Sequence, residues 1–362
     1  MDKILPFNET SLCLCCETLK IGNLVAFPTE TVYGLGANAL NPLAVEKIFE
    51  AKKRPKSDPL IVHVAKYEDA FCLTDMTLFQ KTCFTILAKK FWPGPLTIIV
   101  KCSSQVPNIV TSNSGYVGIR VPNHSVAIQL LLRCGFPLAA PSANLFGHVS
   151  PTSAQHVYKD LGNYPDLFIL DTNIPCQIGI ESTIIKIVDE NEVTLLRPGA
   201  ISSIEIQNSL KENSIDVFVK HKKRELNEKN MSEIESSGQL LTHYSPLLES
   251  FILSEFCTEK CNTNADENFL VQSVLIDFNS KYKNIKKKVL CYFNLSTKNS
   301  YEEASFNLFS ILRKAEAVSG AKYILLPDLS GVKDEMGGAV FDRIYRAASG
   351  KFITIYSSFL SQ

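Results

Sequence analysis

Between residues 24 and 209, short apolar runs of strand length alternate with longer stretches in which apolar residues recur at helical spacing. This alternation is typical of an α/β domain with a mixed or twisted sheet, since each strand has an apolar face that a helix must cover. The predicted strands span residues 24–27, 60–64, 96–100, 117–121, 137–140, 167–170, 183–188 and 194–196.

One helix of this domain is well marked at both ends. Asn41 is a favoured N-cap residue, and Pro42 fits the first turn of a helix, where its missing N–H is not needed. Pro55 disfavours helical conformation at the residue before it. The pattern therefore predicts a helix that begins after Asn41 and ends before Pro55.

The length of the chain indicates more than one domain. Its 362 residues exceed the size at which one hydrophobic core usually stops growing. The apolar periodicity fades between residues 211 and 240, and residues 220–229 form a dense run of mixed charge. We expect a domain at 1–210, a linker at 211–247 and a smaller Rossmann-like α/β domain at 248–362. In the last, the predicted strands are 273–278, 289–293 and 323–326, and the predicted helices are 301–318 and 340–348.

Composition excludes several classes of protein. The 37 basic residues balance the 37 acidic residues, so the chain lacks the positive charge of a nucleic-acid coat. Its 11 cysteines are odd in number and lack the paired spacing of a zinc site, which favours free thiols in a reducing compartment. No apolar run approaches the roughly 20 residues that cross a bilayer, and residues 1–9 lack the pattern of an organelle leader. We expect a cytoplasmic protein with no membrane segment.

The most informative segment follows the first of these strands. In residues 27–36, FPTETVYGLG, a proline ends the strand, and two threonines, a glutamate and two glycines follow. Ligands of open α/β sheets bind beyond the carboxyl ends of strands, where glycine lets backbone amides approach them. The segment therefore predicts a ligand site. The alternative is an ordinary turn in which Thr29 or Thr31 caps a helix.

A basic cluster and a histidine are the next candidates. Lys52, Lys53 and Arg54 fall at the end of the well-marked helix, where the helix macrodipole favours cations. They could bind a triphosphate, although such a cluster more often faces water. Asp58 follows, and His63 ends the next strand, either as a ligand-binding residue or as a half-buried structural histidine.

Arg120 interrupts an apolar strand, and a buried guanidinium requires an anionic partner. That partner is either a structural Asp or Glu or the carboxylate of an amino-acid substrate. Ser150 could cap a helix at 154–161. Other small or polar residues at strand ends are Ala140, Ser142, Glu181, Ser182 and Arg197.

Several common motifs are missing from the sequence. It contains no Gly-rich Lys-Ser/Thr phosphate loop, no dinucleotide glycine fingerprint, no His-Glu-x-x-His helix and no Gly-x-Ser-x-Gly elbow. The common nucleotide-binding and hydrolase classes are therefore excluded.

Taken together and in order, these segments resemble the Sua5/YrdC/YciO family, specifically its two-domain Sua5-type threonylcarbamoyl-AMP synthases. Two further motifs indicate the two-domain type: HYSP at residues 243–246 and GGAVFDR at residues 337–343. The resemblance runs through residues 27–39, 48–64, 91–100, 117–122, 137–150, 181–187 and 195–199.

The resemblance implies a YrdC-like N-terminal domain, whose twisted mixed sheet and helices surround a concave cavity. The cavity would hold ATP with Mg²⁺, L-threonine, and bicarbonate or CO2, and a nucleotidyltransferase reaction would form threonylcarbamoyl-AMP and pyrophosphate. By resemblance, the threonine site comprises Thr31, His63, Arg120, Ala140 and Ser182, with Arg120 on the threonine carboxylate. The ATP site would comprise Arg54, Asp58, Tyr116, Ser142, Ser150, Arg197 and Tyr244. Tyr116 stands where the family has a small hydroxyl residue.

The implied product serves the N6-threonylcarbamoyladenosine (t6A) modification at position 37 of tRNAs that read ANN codons, after a TsaD/Kae1-type complex transfers it. The implied chemistry depends on positioning, in which Arg54 and Arg120 would act, and neither a general base nor a metal-binding side chain is assigned. Tyr244 could fold over the cavity as a lid. Two alternatives stay open. One is a module that binds RNA in place of ATP, and the other is a related enzyme with another amine or carbamoyl donor.

Overall fold

The computed structural model describes residues 2–189, 192–222, 236, 238, 241, 243–254 and 261–355. The chain divides into two compact units. The first comprises Met1–Phe146 and Ser150–Gln239, and the second comprises Gly147–Val149 and Leu240–Gln362. Residues 223–235 of the predicted linker, with most of its charged run, lie outside the described residues. No described helix is long and apolar enough to cross a membrane.

The described part of the first unit is a mixture of helices and short strands. Its helices are α1 (Glu9–Lys20), α2 (Pro42–Lys52), α3 (Leu78–Phe91), α4 (Asn108–Thr111), α5 (Ser125–Cys134), α6 (Ala154–Leu161) and α7 (Ser203–Glu212). Its strands are β1 (Ile4–Pro6), β2 (Leu24–Phe27), β3 (Gly34–Asn38), β4 (Ile61–His63), β5 (Leu96–Lys101), β6 (Tyr116–Arg120), β7 (Leu138–Ala139), β8 (Leu167–Asp171), β9 (Thr183–Asp189), β10 (Glu192–Arg197) and β11 (Phe218–His221).

These strands form one mixed sheet in the order β1-β8-β2-β3-β7-β4-β6-β5-β9-β10-β11. The pairs β2–β8, β4–β6 and β5–β9 are parallel, whereas β2–β3, β5–β6 and β9–β10 are antiparallel. The apolar strand residues are buried against the helices, as the alternating pattern predicted. The predicted mixed α/β fold is thus confirmed.

Helix α2 has the predicted ends. The Asn41 side chain accepts hydrogen bonds from Leu43 N at 3.0 Å and Ala44 N at 3.3 Å. Lys53 closes the helix in the left-handed conformation, with φ at 52°. These bonds confirm the N-cap prediction. Such a cap can be predicted from the sequence because its bonds join residues two and three positions apart.

All eight predicted strands of the first unit are present, each within two residues of its predicted bounds. The sequence did not predict β3, because glycine is usually depleted in strands. A Cβ on Gly36 would lie 2.8 Å from the Phe27 ring, so this strand needs glycine to pair with β2. The sequence also did not predict β1 or β11; β11 pairs with β10 and falls in the residues expected to be a linker.

The second unit has a parallel sheet. Strands β12 (Glu249–Ser254), β13 (Cys261–Ala265), β14 (Ser273–Asp277), β15 (Cys291–Asn294), β16 (Tyr323–Pro327) and β17 (Phe352–Ile355) take the order β13-β17-β12-β16-β14-β15. The helices described here are α8 (Glu267–Leu270), α9 (Tyr301–Glu316) and α10 (Glu335–Ala347). The smaller α/β domain is confirmed. Helix α10 starts five residues before its predicted start because Asp334 caps it, accepting from Gly337 N at 2.8 Å.

Candidate active site

The segment after β2 forms a hydrogen-bonded loop. The Thr29 hydroxyl donates to Val32 O at 2.6 Å, and its Oγ1 lies 2.8 Å from Thr31 Oγ1. Ala143 N donates to Tyr33 O at 2.8 Å and so holds the next strand-end loop against this one. The chain then enters β3 and not a helix. The alternative in which Thr29 or Thr31 caps a helix is therefore wrong.

Arg120, at the end of β6, is held by three groups of the protein. Its Nε donates to Gly94 O at 3.2 Å, its Nη2 donates to Thr31 Oγ1 at 3.0 Å, and Nη2 also lies 2.7 Å from Glu30 Oε1. Glu30 is thus the structural carboxylate that the sequence left as one of two possible partners. Within the described residues, the Nη1 nitrogen of Arg120 has no hydrogen-bond partner.

His63 lies directly beside Arg120, because β4 and β6 are parallel neighbours with these two residues in register. Burial, and then the positive charge of Arg120, lower the pKa of His63 to about 3. His63 is therefore uncharged at neutral pH. Its Nδ1 is buried without a hydrogen-bond partner among the described residues, unlike the satisfied structural histidine considered from the sequence.

Ser182 and Arg197 form a second hydrogen-bonded pair in the site. Arg197 donates from Nε to Ser182 O at 3.0 Å and from Nη2 to Ser182 Oγ at 3.1 Å. The Ser182 hydroxyl also lies 2.8 Å from Thr97 Oγ1 on β5. Gly199 packs on the same turn, where a Cβ would lie 2.5 Å from Thr183 N. This close approach of two backbone segments is the reason that glycine follows Arg197.

The structure divides the basic cluster at the end of α2. Lys52 is buried and donates from Nζ to Ser142 O at 2.5 Å, whereas Lys53 is exposed. Arg54 is also buried and pairs with Asp58, with Nη2 2.8 Å from Oδ1. The interpretation as a solvated basic end therefore applies to Lys53 and is wrong for its two neighbours.

The Arg54–Asp58 pair is electrostatically connected to Arg197. Burial raises the pKa of Asp58, and the positive charges of Arg54, Lys52 and Arg197 oppose that rise. Burial and the neighbouring Arg54 together hold the pKa of Lys52 well below its ordinary value. Buried guanidiniums such as those of Arg54 and Arg197 suit the recognition of phosphate groups.

Ser150 does not cap a helix, contrary to the expectation from the sequence. Ser153 is the N-cap of α6 and accepts from His156 N at 3.2 Å. The buried Ser150 hydroxyl instead donates to Glu181 Oε1 at 2.5 Å. Because Glu181 precedes Ser182, this bond places Ser150 next to the hydrogen-bonded pair of Ser182 and Arg197.

Ala140 and Ser142 lie on the loop after β7. Ala140 N donates to Ile61 O at 2.9 Å, and Ser142 forms an isolated antiparallel bridge with Gly34. A Cβ on Gly34 would touch the Ala140 Cβ at 3.4 Å. Small residues therefore face one another here, and they allow β3 and this loop to approach each other closely.

The two tyrosines of the expected nucleotide site lie in different units. Tyr116 begins β6, and the Lys186 ammonium lies 3.9 Å from its ring centroid. Tyr244 belongs to the second unit, where it is buried with φ at 60° and packs on Phe309 at a centroid distance of 5.4 Å. Their contacts with ATP, and closure of Tyr244 as a lid, stay predictions.

Sequence reasoning assigned no role to Glu30, Thr97 or Glu181, and it treated Lys52 only as part of a basic cluster that could bind a triphosphate. Thr97 carries the same signal as Arg120, since it is a polar residue within an apolar strand. Glu30 and Glu181 stand inside segments that were already singled out. Their carboxylates could be recognised as partners only after the fold brought Arg120 and Ser150 next to them.

Metal ligands are not clustered in this part of the chain. Among the described residues, no group of three or more His, Cys, Asp and Glu side chains could hold a metal ion. Mg²⁺ prefers octahedral oxygen coordination and usually keeps water and substrate phosphates as ligands. The described residues therefore provide no dedicated protein cage for it.

Comparison with protein families covers nearly the whole chain. Residues 17–199 match the Sua5/YciO/YrdC family model, described as "Telomere recombination". Residues 201–349 match the model described as "Threonylcarbamoyl-AMP synthase, C-terminal domain". The threonylcarbamoyl-AMP synthase of Pyrococcus abyssi is 36% identical over 357 residues, which cover 96% of this chain and 97% of that protein. The corresponding Schizosaccharomyces pombe protein is 34% identical, with 91% and 85% covered.

The same relationship appears among solved structures. The crystal structure of P. abyssi Sua5 complexed with L-threonine matches with a TM-score of 0.79 and 32% identity, covering 98% of this chain and 99% of that one. A variant of that protein matches with a TM-score of 0.77 and 30% identity, with 98% of each chain covered. The chain therefore belongs to the Sua5/YciO/YrdC family, in its two-domain Sua5 branch.

Proposed function

We propose that this chain is an L-threonylcarbamoyladenylate synthase, which joins L-threonine, bicarbonate or CO2, and ATP into threonylcarbamoyl-AMP and pyrophosphate. The observation that carries the proposal is the state of Arg120. Glu30 and Thr31 hold its guanidinium, while Nη1 is uncommitted within the described residues and the neighbouring His63 is uncharged. A buried guanidinium of this kind suits an amino-acid carboxylate. Relatives matching most of the chain carry the name of this activity.

On the threonine side, we assign the carboxylate to Arg120 and the remaining contacts to Thr31, His63, Ala140 and Ser182. Arg120 donates a hydrogen bond to Thr31, and His63 lies in register with Arg120 on the neighbouring strand. Because His63 is neutral, it adds no second positive charge to repel the substrate ammonium group. Ala140 has a small side chain, which allows the loop after β7 to pack closely against Gly34 beside the threonine site.

On the nucleotide side, we assign ATP to the buried Arg54–Asp58 pair, Arg197 and the hydroxyls that surround them. The guanidiniums of Arg54 and Arg197 would stabilise the phosphates and the pyrophosphate as it leaves. The complete proposed set is Arg54, Asp58, Tyr116, Ser142, Ser150, Arg197 and Tyr244.

The reaction requires two bond-forming steps. The threonine ammonium loses one proton to solvent, the resulting amine attacks the carbon of CO2, and loss of a second proton from the nitrogen gives the carbamate anion. A carbamate oxygen then attacks the α-phosphorus of ATP, the bond to the β-phosphate oxygen breaks, and pyrophosphate leaves with that electron pair. Holding three reactants in one preorganised pocket removes a large entropic barrier, so positioning by Arg54 and Arg120 is the main contribution of the protein. This is a nucleotidyl transfer.

The wider assignment follows from the same proposal. Mg²⁺ would enter bound to the ATP phosphates, because this ion usually keeps water and substrate phosphates as its ligands. The catalytic domain would be 1–210, with a linker at 211–247 and a C-terminal domain at 248–362. The product would pass in the cytoplasm to a TsaD/Kae1-type transferase for t6A37 formation, and the chain would also bind tRNA or RNA weakly.

The experiment is release of pyrophosphate by the full chain with ATP, Mg²⁺, bicarbonate and L-threonine, omitting each in turn. Arg120→Ala should raise KM for threonine, and Arg54→Ala should raise KM for ATP. Arg133→Ala is the matched control, because this arginine of α5 is partly exposed and pairs with Glu9.

Release that requires all four components supports the proposal. Release with serine or with carbamoyl phosphate, but not with threonine and bicarbonate, would replace it by a related enzyme. If the folded protein releases no pyrophosphate but binds tRNA in a salt-sensitive manner, the RNA-binding alternative replaces it.

A further inference from the structure

Glu30 is a buried carboxylate in the candidate active site that the proposed reaction does not use directly. It is 3% exposed, and Ile178 N donates to its backbone carbonyl at 2.8 Å, which fixes its place in the loop after β2. Both of its carboxylate oxygens are buried and accept no hydrogen bond from the described residues. A buried charge in this condition needs a countercharge, or it would strongly destabilise the fold.

Arg120 provides that countercharge. Its Nη2 lies 2.7 Å from Glu30 Oε1, and the structure shows no other cation within ion-pair distance of Glu30 in the described ranges. The other titratable groups close to Glu30 are His124 and Cys176. Burial lowers the pKa of His124 and raises that of Cys176 to about 12, so both are uncharged at neutral pH. Glu30 and Arg120 therefore form an isolated, net-neutral pair.

The pair fixes the direction of the guanidinium. Arg120 Nε donates to Gly94 O, and its Nη2 contacts both Thr31 Oγ1 and Glu30 Oε1. Because the guanidinium is planar and rigid, these contacts also determine where Nη1 points. Without the carboxylate of Glu30, one of the three restraints is lost and the charge of Arg120 is no longer offset.

We propose that Glu30 is a positioning residue that fixes Arg120 for the carboxylate of a zwitterionic α-amino acid, an inference that rests on the proposed function. Because the pair is neutral, a zwitterion adds no net charge to the buried site. A ligand that has lost only its carboxylate would bring an uncompensated cation, which a buried site disfavours. Glu30 would thus act on one chemical group of the ligand through Arg120.

The test compares binding of L-threonine with that of L-threonine amide, which keeps the ammonium group and the side chain but lacks the carboxylate. Calorimetry with the full-length wild type, Glu30→Gln and Glu30→Asp gives the ratio of the two affinities directly. In Glu30→Gln the affinity for threonine should fall by on the order of 10- to 100-fold and that for the amide by clearly less, because only threonine has a carboxylate that depends on the position of Nη1. Glu30→Asp keeps the charge and should recover part of the loss.

Kinetics provide an independent readout. Positioning predicts a raised KM for threonine in Glu30→Gln, with KM for ATP unchanged. A purely structural role would lower the active fraction, and so kcat, without this split.

Three outcomes are distinguishable. Selective loss of threonine binding supports the inference. Equal weakening of threonine and the amide, or no weakening in the folded variants, overturns the inference and leaves the proposed function intact. If the wild type itself binds no threonine, the proposed function falls, and the inference falls with it. If Glu30→Gln does not fold, the same comparison is made with Glu30→Asp, whose shorter side chain should still weaken threonine selectively.

Discussion

Acid should lower the unfolding free energy of the first unit, because burial disfavours the protonated form of His63. Burial lowers the pKa of His63 from 6.5 to about 3 in the folded protein. The folded state therefore binds this proton more weakly than the unfolded chain, so protonation below pH 6.5 favours unfolding. The loss of stability continues as the pH falls towards 3.

The magnitude follows from the two pKa values. Each pH unit between them corresponds to about 1.4 kcal/mol, so lowering the pH from 7 to 5 should remove about 2 kcal/mol of unfolding free energy through His63. Burial also lowers the pKa of His124, whose contribution is the same in wild type and variant. The variant His63→Gln should therefore lose about 2 kcal/mol less than the wild type over this range.

Trp92 makes the measurement specific to the first unit. It is the single tryptophan of the chain, and its ring packs on Phe84 at a centroid distance of 5.3 Å. Urea unfolding followed by tryptophan fluorescence at pH 7, 6 and 5 gives the free energy for wild type and His63→Gln. His221→Gln is the matched control, because His221 is exposed on β11 of the same unit. This control should follow the wild type.

If wild type and His63→Gln lost the same free energy between pH 7 and 5, His63 would not be held neutral by burial. The description of Arg120 with an uncharged neighbour would then have to be abandoned. A steeper loss in His63→Gln would refute the sign of the effect.

Three further predictions concern the glycine turn and the basic cluster. Gly199→Ala should lower the unfolding free energy by about 1–3 kcal/mol and reduce activity, since its Cβ would meet backbone at 2.5 Å. Circular dichroism checks this against Gly338→Ala, where a Cβ meets nothing within 4 Å and which should be neutral or stabilising. Lys52→Met should cost about 2 kcal/mol in urea unfolding, because the carbonyls that Nζ satisfies lose their donor; full stability would refute this. Arg54→Met should destabilise by about 3–5 kcal/mol at pH 7. That deficit should shrink as the pH is lowered, because burial raises the pKa of Asp58 and its protonation removes the charge that Arg54 balances; a deficit independent of pH would contradict the pairing.

Local features of the sequence predicted most of the secondary structure. The bounds of α2 follow from Asn41 and Pro42, whose effects act over a few residues. Strand β3 was missed because its glycines are needed for close packing on Phe27, a contact with another strand. The start of α10 was missed because Gly337 and Gly338 weaken the helical pattern over its first turn.

The sequence predicted which residues belong to the candidate site better than it predicted which of them contact one another. A polar residue in an apolar strand, such as Arg120, shows that a buried partner must exist, because an unpaired buried charge is too costly. The sequence could not choose between a protein carboxylate and a ligand carboxylate. The structure shows that Glu30 is present and that Nη1 is also left uncommitted within the described residues, so the two possibilities are compatible.

The sequence by itself determined the α/β class, the position of most strands and the segments whose polar residues follow strand ends, because periodicity, caps and turn residues act locally. Only the tertiary structure decided which of these residues touch. In the folded chain Lys52 and Arg54 are buried, whereas Lys53 is exposed. Ser150 donates a hydrogen bond to Glu181 and does not cap a helix. His63 lies beside Arg120 on the neighbouring strand. These outcomes depend on strand order and burial, which arise from contacts between residues far apart in the chain.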